Sequence, residues 1–225
     1  ERIADAARQI EGAFSLVITT NDSLVGVRDP QGFRPLCLGK TENGYVLSSE
    51  SCAFDAIKAE FIRHIDPGEM VIIDDSGVRS TIYAEPEKID KKLCVFEYIY
   101  FARGDSHIDG QSVYQSRLNM GRELYNETKY DADIVMSIPD SGTTAALGYA
   151  RASGIPFAEG LVKNRYSGRT FIKPNQEERE LAVRMKLNAL PHVVGGKRIV
   201  LIDDSIVRGT TSGIIVKMLK EAGAK

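Results

Sequence analysis

The stretch Arg198-Ile-Val-Leu-Ile-Asp-Asp-Ser-Ile-Val-Arg-Gly-Thr-Thr-Ser-Gly213 concentrates the chemistry of this 225-residue chain. A wholly apolar strand ends in two carboxylates, and a loop of small hydroxyl residues then opens a helix. In open parallel sheets, ligands bind at the carboxyl ends of the strands, where this loop would sit. Backbone N–H groups at a helix start, with hydroxyls from Ser205, Thr210, Thr211 and Ser212, make a cradle for a phosphate. Asp203 and Asp204 repel an anion, so they suit ribose hydroxyls, or a Mg²⁺ that takes few protein carboxylates and keeps its waters. The loop is not a Walker A sequence, because no GxxxxGK[ST] is present, and no GxGxxG occurs in the chain.

Two further segments could serve the same ligand. Ile138-Pro-Asp-Ser-Gly-Thr-Thr144 is a second strand-end loop of small residues before a helix. On its own it is a turn into a helix, and only its pairing with the first loop gives it a functional reading. Between Lys163 and Lys173 the chain carries Lys163, Arg165, Arg169 and Lys173 and no acid, with aromatics at Tyr166 and Phe171. Such a segment reads either as a solvated basic loop or as a lid that folds over a polyanion and excludes water.

The elements that must position these loops follow from periodicity. From Ala13 to Tyr83 short apolar runs alternate with turn residues. Strands are expected at Ala13 to Thr20, Leu24 to Val27, near Leu36, near Tyr45 to Leu47, at Glu69 to Ile73 and at Val78 to Tyr83. Hairpin-length connections favour an antiparallel sheet. From Tyr83 to Lys92 six of ten residues are charged, which marks 84–92 as a linker. Helices and strands then alternate: helix Ser112 to Tyr130, strand Asp133 to Ile138, helix Thr143 to Ser153, strand Phe157 to Val162, helix Gln176 to Asn188, strand Arg198 to Ile202 and helix Thr210 to Ala222. This pattern implies βαβ units and a parallel sheet. The expected fold class is therefore α/β, an α+β antiparallel portion followed by an α/β portion.

Composition narrows the function classes. A hydrophobic share of 43% supports a substantial core, and a net charge of −2 implies no general affinity for nucleic acid or anionic lipid. The longest apolar runs are strand-length, so no membrane-spanning helix is expected. Cys37, Cys52 and Cys94 are sparse and odd in number, which fits a reducing, cytoplasmic location. Cys37 and Cys52 read as small buried hydrophobes. None of the three histidines has metal-ligand spacing. Residue 1 is Glu within a helical pattern, Gly223 reads as a helix C-cap two residues before the end, and both ends read as cuts inside a larger protein.

The Asp203–Ser212 segment resembles the phosphoribosyl pyrophosphate (PRPP) signature of type I phosphoribosyltransferases. Three more segments narrow the match: Phe96-Glu-Tyr-Ile-Tyr-Phe-Ala-Arg103, Val162-Lys-Asn-Arg-Tyr-Ser-Gly-Arg-Thr-Phe171 and Arg28-Asp-Pro-Gln-Gly-Phe-Arg-Pro-Leu36. Together they resemble the glutamine PRPP amidotransferase family over essentially the whole chain, in the family's order. One departure is Gly104, where the family usually has Pro.

The resemblance implies residues 1–83 as the later part of an N-terminal-nucleophile glutaminase domain and residues 93–225 as part of a type I phosphoribosyltransferase domain. It implies transfer of ammonia, from glutamine or free, to the anomeric carbon of PRPP, with release of pyrophosphate. Asp203 and Asp204 would address the ribose diol and Mg²⁺, and Ser205, Ile206, Val207, Arg208, Gly209, Thr210, Thr211 and Ser212 would hold the 5-phosphate. Asp140, Gly142 and Thr143 fall in the family's pyrophosphate loop, and Ser141 where it places another Mg²⁺ contact. Lys163 would contact pyrophosphate or a nucleotide phosphate. Arg165, with Arg169 beside it, would lie on the loop that closes over PRPP. Some members hold a 4Fe–4S cluster whose first ligand falls at Cys94. Glutaminase domains of this kind attack with a processed first-residue cysteine; here residue 1 is Glu, so these 225 residues are expected to use ammonia at most. Feedback by AMP and GMP and a homotetramer are also implied. Salvage phosphoribosyl transfer to a base, or non-catalytic PRPP or nucleotide binding, are the competing readings.

Overall fold

The computed structural model describes residues 1–164, 166 and 176–225, with 176–180 described as backbone only. The chain divides into two compact units, Glu1–Tyr114 and Gln115–Lys225.

The first unit contains α1 (Arg2–Ala7), β1 (Ser15–Thr19), β2 (Ser23–Arg28), β3 (Cys37–Thr41), β4 (Gly44–Ser48), α2 (Cys52–Ala56), β5 (Glu60–His64), β6 (Glu69–Asp74) and β7 (Gly77–Ile82). Antiparallel pairing gives one sheet in the order β1-β2-β6-β7 and a second in the order β4-β3-β5. Alternation along the strands decides which face each side chain meets. Val25 and Val27 of β2 join Met70, Phe14 and Tyr83 beneath Ala4 and Ala7 of α1. Leu36, Ile65 and Val71 pack with Leu47, Ile73 and Val78 where the two sheets face each other. Phe54 of α2 packs on Phe61 of β5 with ring centroids 6.3 Å apart.

Two strand expectations change. The run from Ala13 is not a buried strand: β1 covers only Ser15–Thr19 and is the sheet's edge, so Val17 and Thr19 point to solvent. Conversely β5 carries no strong apolar alternation and forms because β3 offers it a ladder.

The charged segment 84–92 does not hang free. The N–H groups of Asp90, Lys92 and Cys94 donate to the carbonyls of Pro30, Gln31 and Phe33, so the chain runs as a strap along residues 30–33. A hairpin of β8 (His107–Ile108) and β9 (Gln111–Ser112) closes on Asp109 and Gly110, both at positive φ, the backbone that a two-residue turn demands. Asp109 meets the buried Arg28, whose guanidinium also donates to the carbonyls of Ile65, Gly32 and Arg34. Every arm of this buried cation is thereby satisfied, which is the condition for burying one at all. Residues 97–101 form one wide helical turn. It buries Glu97 against Arg34, at 2.6 Å, and burial pushes that carboxyl above its ordinary pKa even though Arg34 pulls it down.

The second unit takes most of α3 (Val113–Glu127), then β10 (Ile134–Ser137), α4 (Thr143–Ser153), β11 (Leu161–Lys163), α5 (Gln176–Lys186), β12 (Leu187–Ala189), α6 (Pro191–Val194), β13 (Ile199–Ile202) and α7 (Thr210–Glu221). β10 and β13 pair in parallel from Ile134↔Ile199 to Ser137↔Ile202, and Phe157 adds a parallel bridge to Val135. Both faces of the pair are covered, as a parallel sheet requires. Met136 lies in a core with Ile215, Met218 and Val194, whereas Val135 and Val200 pack with Tyr149 and Ala146.

Helices α3 and α4 approach so closely that a Cβ on Gly121 would fall 1.8 Å from the Ala145 carbonyl oxygen. One on Gly148 would fall 2.1 Å from that of Leu118. The expected strand Phe157 to Val162 is instead this single bridge followed by β11, which pairs antiparallel with β12. For the same reason the helix expected to reach Asn188 stops at Lys186. Leu187 is drawn into the core beside Leu161, and packing overrides helix propensity there.

Candidate functional site

Because β10 and β13 run parallel and in register, the loops that follow them leave the same edge of the sheet. The ladder continues one residue past the strands, with Ile138 N–H donating to the Ile202 carbonyl at 2.9 Å. At Gly142 the two loops touch: a Cβ there would lie 2.7 Å from the Ile202 oxygen, 3.1 Å from that of Ile138 and 3.3 Å from Asp203 Cα. These neighbours are backbone atoms, so only glycine lets the loops come together.

The first loop is built to present N–H groups. No backbone N–H from Ser205 to Ser212 donates to a backbone carbonyl among the described residues. Three of these eight consecutive donors belong to the first turn of α7, where no intrahelical acceptor exists. Gly209, at φ +70, turns the chain into that helix, and Ser212 Oγ donates back to its carbonyl at 3.1 Å. An anion at this place gains the N–H groups and the positive end of the helix dipole together. Ile206 and Val207, 72% and 87% exposed, bare their side chains to solvent at the loop tip.

Asp203 and Asp204 close the strand. Asp203 Oδ1 accepts the Asp204 N–H at 2.9 Å, and Asp204 Oδ1 accepts the Ser205 hydroxyl at 2.5 Å. Burial, with the Asp204 charge beside it, pushes the Asp203 carboxyl above the ordinary aspartate range, although the Asp204 N–H pulls it back. This pair carries negative charge with no cationic partner among the described residues. A hydroxyl donor or a cation would relieve it.

The second loop is held from within. Gly142 N–H donates to the Ile138 carbonyl at 3.2 Å, Thr143 N–H to that of Asp140 at 3.2 Å, and the Ser137 and Thr143 hydroxyls bond at 3.1 Å. Ser137 is the contributor that sequence reasoning missed; its only signal was a hydroxyl at the last position of an apolar strand. Lys163, the last residue of β11, reaches Asp140 with its ammonium 2.5 Å from Oδ2. Both residues line a cavity of 680 Å³, together with Ser137, Thr143, Phe157 and Leu161.

Other expected residues stand apart or cannot be placed. Arg165, Arg169 and the rest of the basic segment from 167 to 175 lie outside the described residues. Cys37 and Cys52 are buried, as expected, and Cys94 is half-buried. Cys37 Sγ lies 3.2 Å from Nδ1 of His64, a pairing across 27 residues that no sequence pattern marks, and burial holds its thiol up to about 12. Among the described residues no group of three or more His, Cys, Asp or Glu side chains could cage a metal ion. Nor is any helix there long and apolar enough to cross a membrane.

No protein-family model matches the chain. Curated relatives do. The amidophosphoribosyltransferase of Archaeoglobus fulgidus is 53% identical over 214 residues, 95% of this chain and 46% of the relative. That of Synechococcus elongatus is 56% identical over 226 residues, 99% of this chain and 45% of the relative. Among solved structures, the glutamine PRPP amidotransferase of Bacillus subtilis in complex with ADP and GMP superposes with a TM-score of 0.92. It is 49% identical and matches 100% of this chain and 49% of its own. The 225 residues are thus homologous throughout to the amidophosphoribosyltransferases, and they span about half the length of the relatives they match.

Proposed function

We propose that the second unit binds PRPP and transfers its phosphoribosyl group to ammonia. The observation that carries this reading is the run of eight N–H groups without a backbone acceptor beside two carboxylates without a cationic partner, among the described residues, at one sheet edge. A phosphate fits the first and a sugar diol the second, which together describe a phosphorylated ribose.

In the reaction, the ammonia lone pair forms a bond to the anomeric carbon as the bond to pyrophosphate breaks and takes its electron pair away. Positive charge grows on the ribose ring, so catalysis is positioning and electrostatics, with no covalent enzyme intermediate. The amides of Ser205 to Ser212 fix the 5-phosphate. Asp203 and Asp204 accept hydrogen bonds from the ribose hydroxyls, and their negative charge favours the cationic character that develops on the ring. Loop 138–144, through Gly142, Thr143 and the Ser141 hydroxyl, faces the departing pyrophosphate, and Lys163 neutralises part of its charge. Arg165 belongs to the same reading as a phosphate contact. The two adjacent carboxylates, Asp203 and Asp204, would suit Mg²⁺, which takes few protein ligands and leaves its other positions to substrate oxygens and water. When bound, Mg²⁺ would neutralise the leaving pyrophosphate.

The relatives' name and length support glutamine as the physiological nitrogen source, in a protein longer than this chain. The Bacillus subtilis structure, with ADP and GMP bound, supports feedback by purine nucleotides such as AMP and GMP. A homotetramer and a cytoplasmic location complete the reading. Cys94 supplies one of the four thiolates an iron–sulfur cluster needs, so no step rests on it.

The test is pyrophosphate release from PRPP and Mg²⁺, with ammonium and separately with glutamine. Release with ammonium is the expected result. Absence of release, together with no PRPP-induced rise in melting temperature, would overturn the assignment. Asp204→Asn should abolish Mg²⁺–PRPP binding in calorimetry without lowering the melting temperature.

A further inference from the structure

Asp140 and Lys163 face each other from two separately fixed elements. Lys163 is held by the ladder of β11 with β12, opposite Leu187, and the following residue is fixed by Asn164 N–H to the Lys186 carbonyl at 2.8 Å. Asp140 sits on a loop closed by the bonds of Gly142 and Thr143. The 2.5 Å ion pair therefore links two elements that both line the 680 Å³ cavity. Lys163 is the one cation among the described residues that lines this cavity, and a carboxylate already occupies it.

A carboxylate in this place has the wrong sign to bind a phosphorylated ligand directly. We infer that Asp140 is an internal competitor: its carboxylate occupies the Lys163 ammonium until an incoming polyphosphate displaces it. This rests on the reading of loop 138–144 as a pyrophosphate loop. It replaces direct ligand binding by Asp140 with a positioning and selectivity role. The bridge keeps the ammonium over the site in the empty protein, and it raises the anion strength needed to open it. Asp140 is 78% exposed and Lys163 35%. Exposed pairs of this kind are weak, so the competition is modest, worth about two- to sixfold in apparent affinity.

The experiment is calorimetric titration of inorganic pyrophosphate with Mg²⁺ into the whole chain, for wild type, Asp140→Asn, Lys163→Gln and the double variant. The expected result is that Asp140→Asn binds pyrophosphate about two- to sixfold more tightly than wild type, that Lys163→Gln binds more weakly, and that Asp140→Asn gives no tightening in the Lys163→Gln background. Asp140→Glu should restore the wild-type affinity, which a purely structural role of the loop would not require. Weaker binding by Asp140→Asn would make Asp140 a ligand contact, and equal tightening in both backgrounds would reduce its effect to general charge repulsion. Either outcome overturns the proposal. A wild-type chain that binds neither pyrophosphate nor PRPP would instead overturn the functional reading beneath it.

Discussion

Replacing Gly142 by Ala tests whether the two strand-end loops depend on each other. The added methyl would meet three backbone atoms, the nearest at 2.7 Å, where real Cβ contacts keep at least 3.0 Å. No side chain can swing aside, so loops 138–144 and 203–212 must part by 0.3 Å or more. Overpacking of this kind costs about 1–3 kcal/mol of stability. A 1 Å misplacement at a reacting centre costs about a hundredfold, so a third of that shift should cost roughly fivefold in rate. The assay pairs thermal melting with ammonium-dependent pyrophosphate release. Gly213→Ala is the control, because it lies in α7 with nothing within 4 Å of its Cβ position. That change should stabilise by up to about 1 kcal/mol, the ordinary gain of Ala over Gly in a helix. A Gly142→Ala protein with unchanged melting and turnover would refute the close approach, and with it the claim that the two loops form one site.

Three further outcomes follow from other parts of the structure. Gly121→Ala should cost about 3 kcal/mol or more in urea unfolding, because its methyl would overlap the Ala145 carbonyl at 1.8 Å; a midpoint near wild type would show that α3 and α4 do not touch as described. At Glu69, burial pushes the carboxyl up, but bonds from Arg63 and the Asp66 N–H outweigh it and leave the group below its ordinary 4.5. A lowered folded pKa gives stability that is present above the unfolded value and is lost as pH falls through the folded one. The melting difference between wild type and Glu69→Gln should therefore hold above the ordinary 4.5 and shrink as the pH falls below it, and a constant difference would refute the pairing. Native labelling with iodoacetamide should modify Cys94 first and leave Cys37 intact until unfolding, since Cys37 is buried with its thiol held up to about 12. Early loss of Cys37, read by peptide mass, would show that the sheet opens around β3.

What the sequence disclosed was what neighbouring residues determine among themselves. An apolar run, two acids, a hydroxyl-rich loop and a helix are legible in order, and the structure has β13, the cradle and α7 where that order places them. Helix α4 runs over Thr143–Ser153 because Ala-rich propensity and Gly154 at its end act locally. The missed features all depend on residues far apart in the chain. Segment 84–92 reads as a linker by its charges, yet a backbone strap needs only N–H and carbonyl groups, which carry no side-chain signature. Strands β5 and β12 exist because a partner edge is available, and nothing in Glu60–His64 or Leu187–Ala189 states which edge that is. Charge pairing has no register in sequence either, so Arg28 with Asp109, 81 residues away, was invisible.

The same distinction bears on the site. Each loop taken alone has an ordinary explanation, as a capped turn entering a helix. Their union is specified by Gly142, whose missing side chain lets the Ile202 carbonyl and Asp203 approach loop 138–144. A phosphate cradle with two carboxylates can bind a phosphorylated sugar. A leaving group needs a second cradle within reach of the first, and the parallel register of β10 and β13 brings loop 138–144, the one proposed for that role, beside loop 203–212. The proposed transfer reading therefore rests less on the acidic pair, which a binding protein could share, than on the shared edge, which sets the loop proposed for the leaving pyrophosphate beside the one proposed for the ribose.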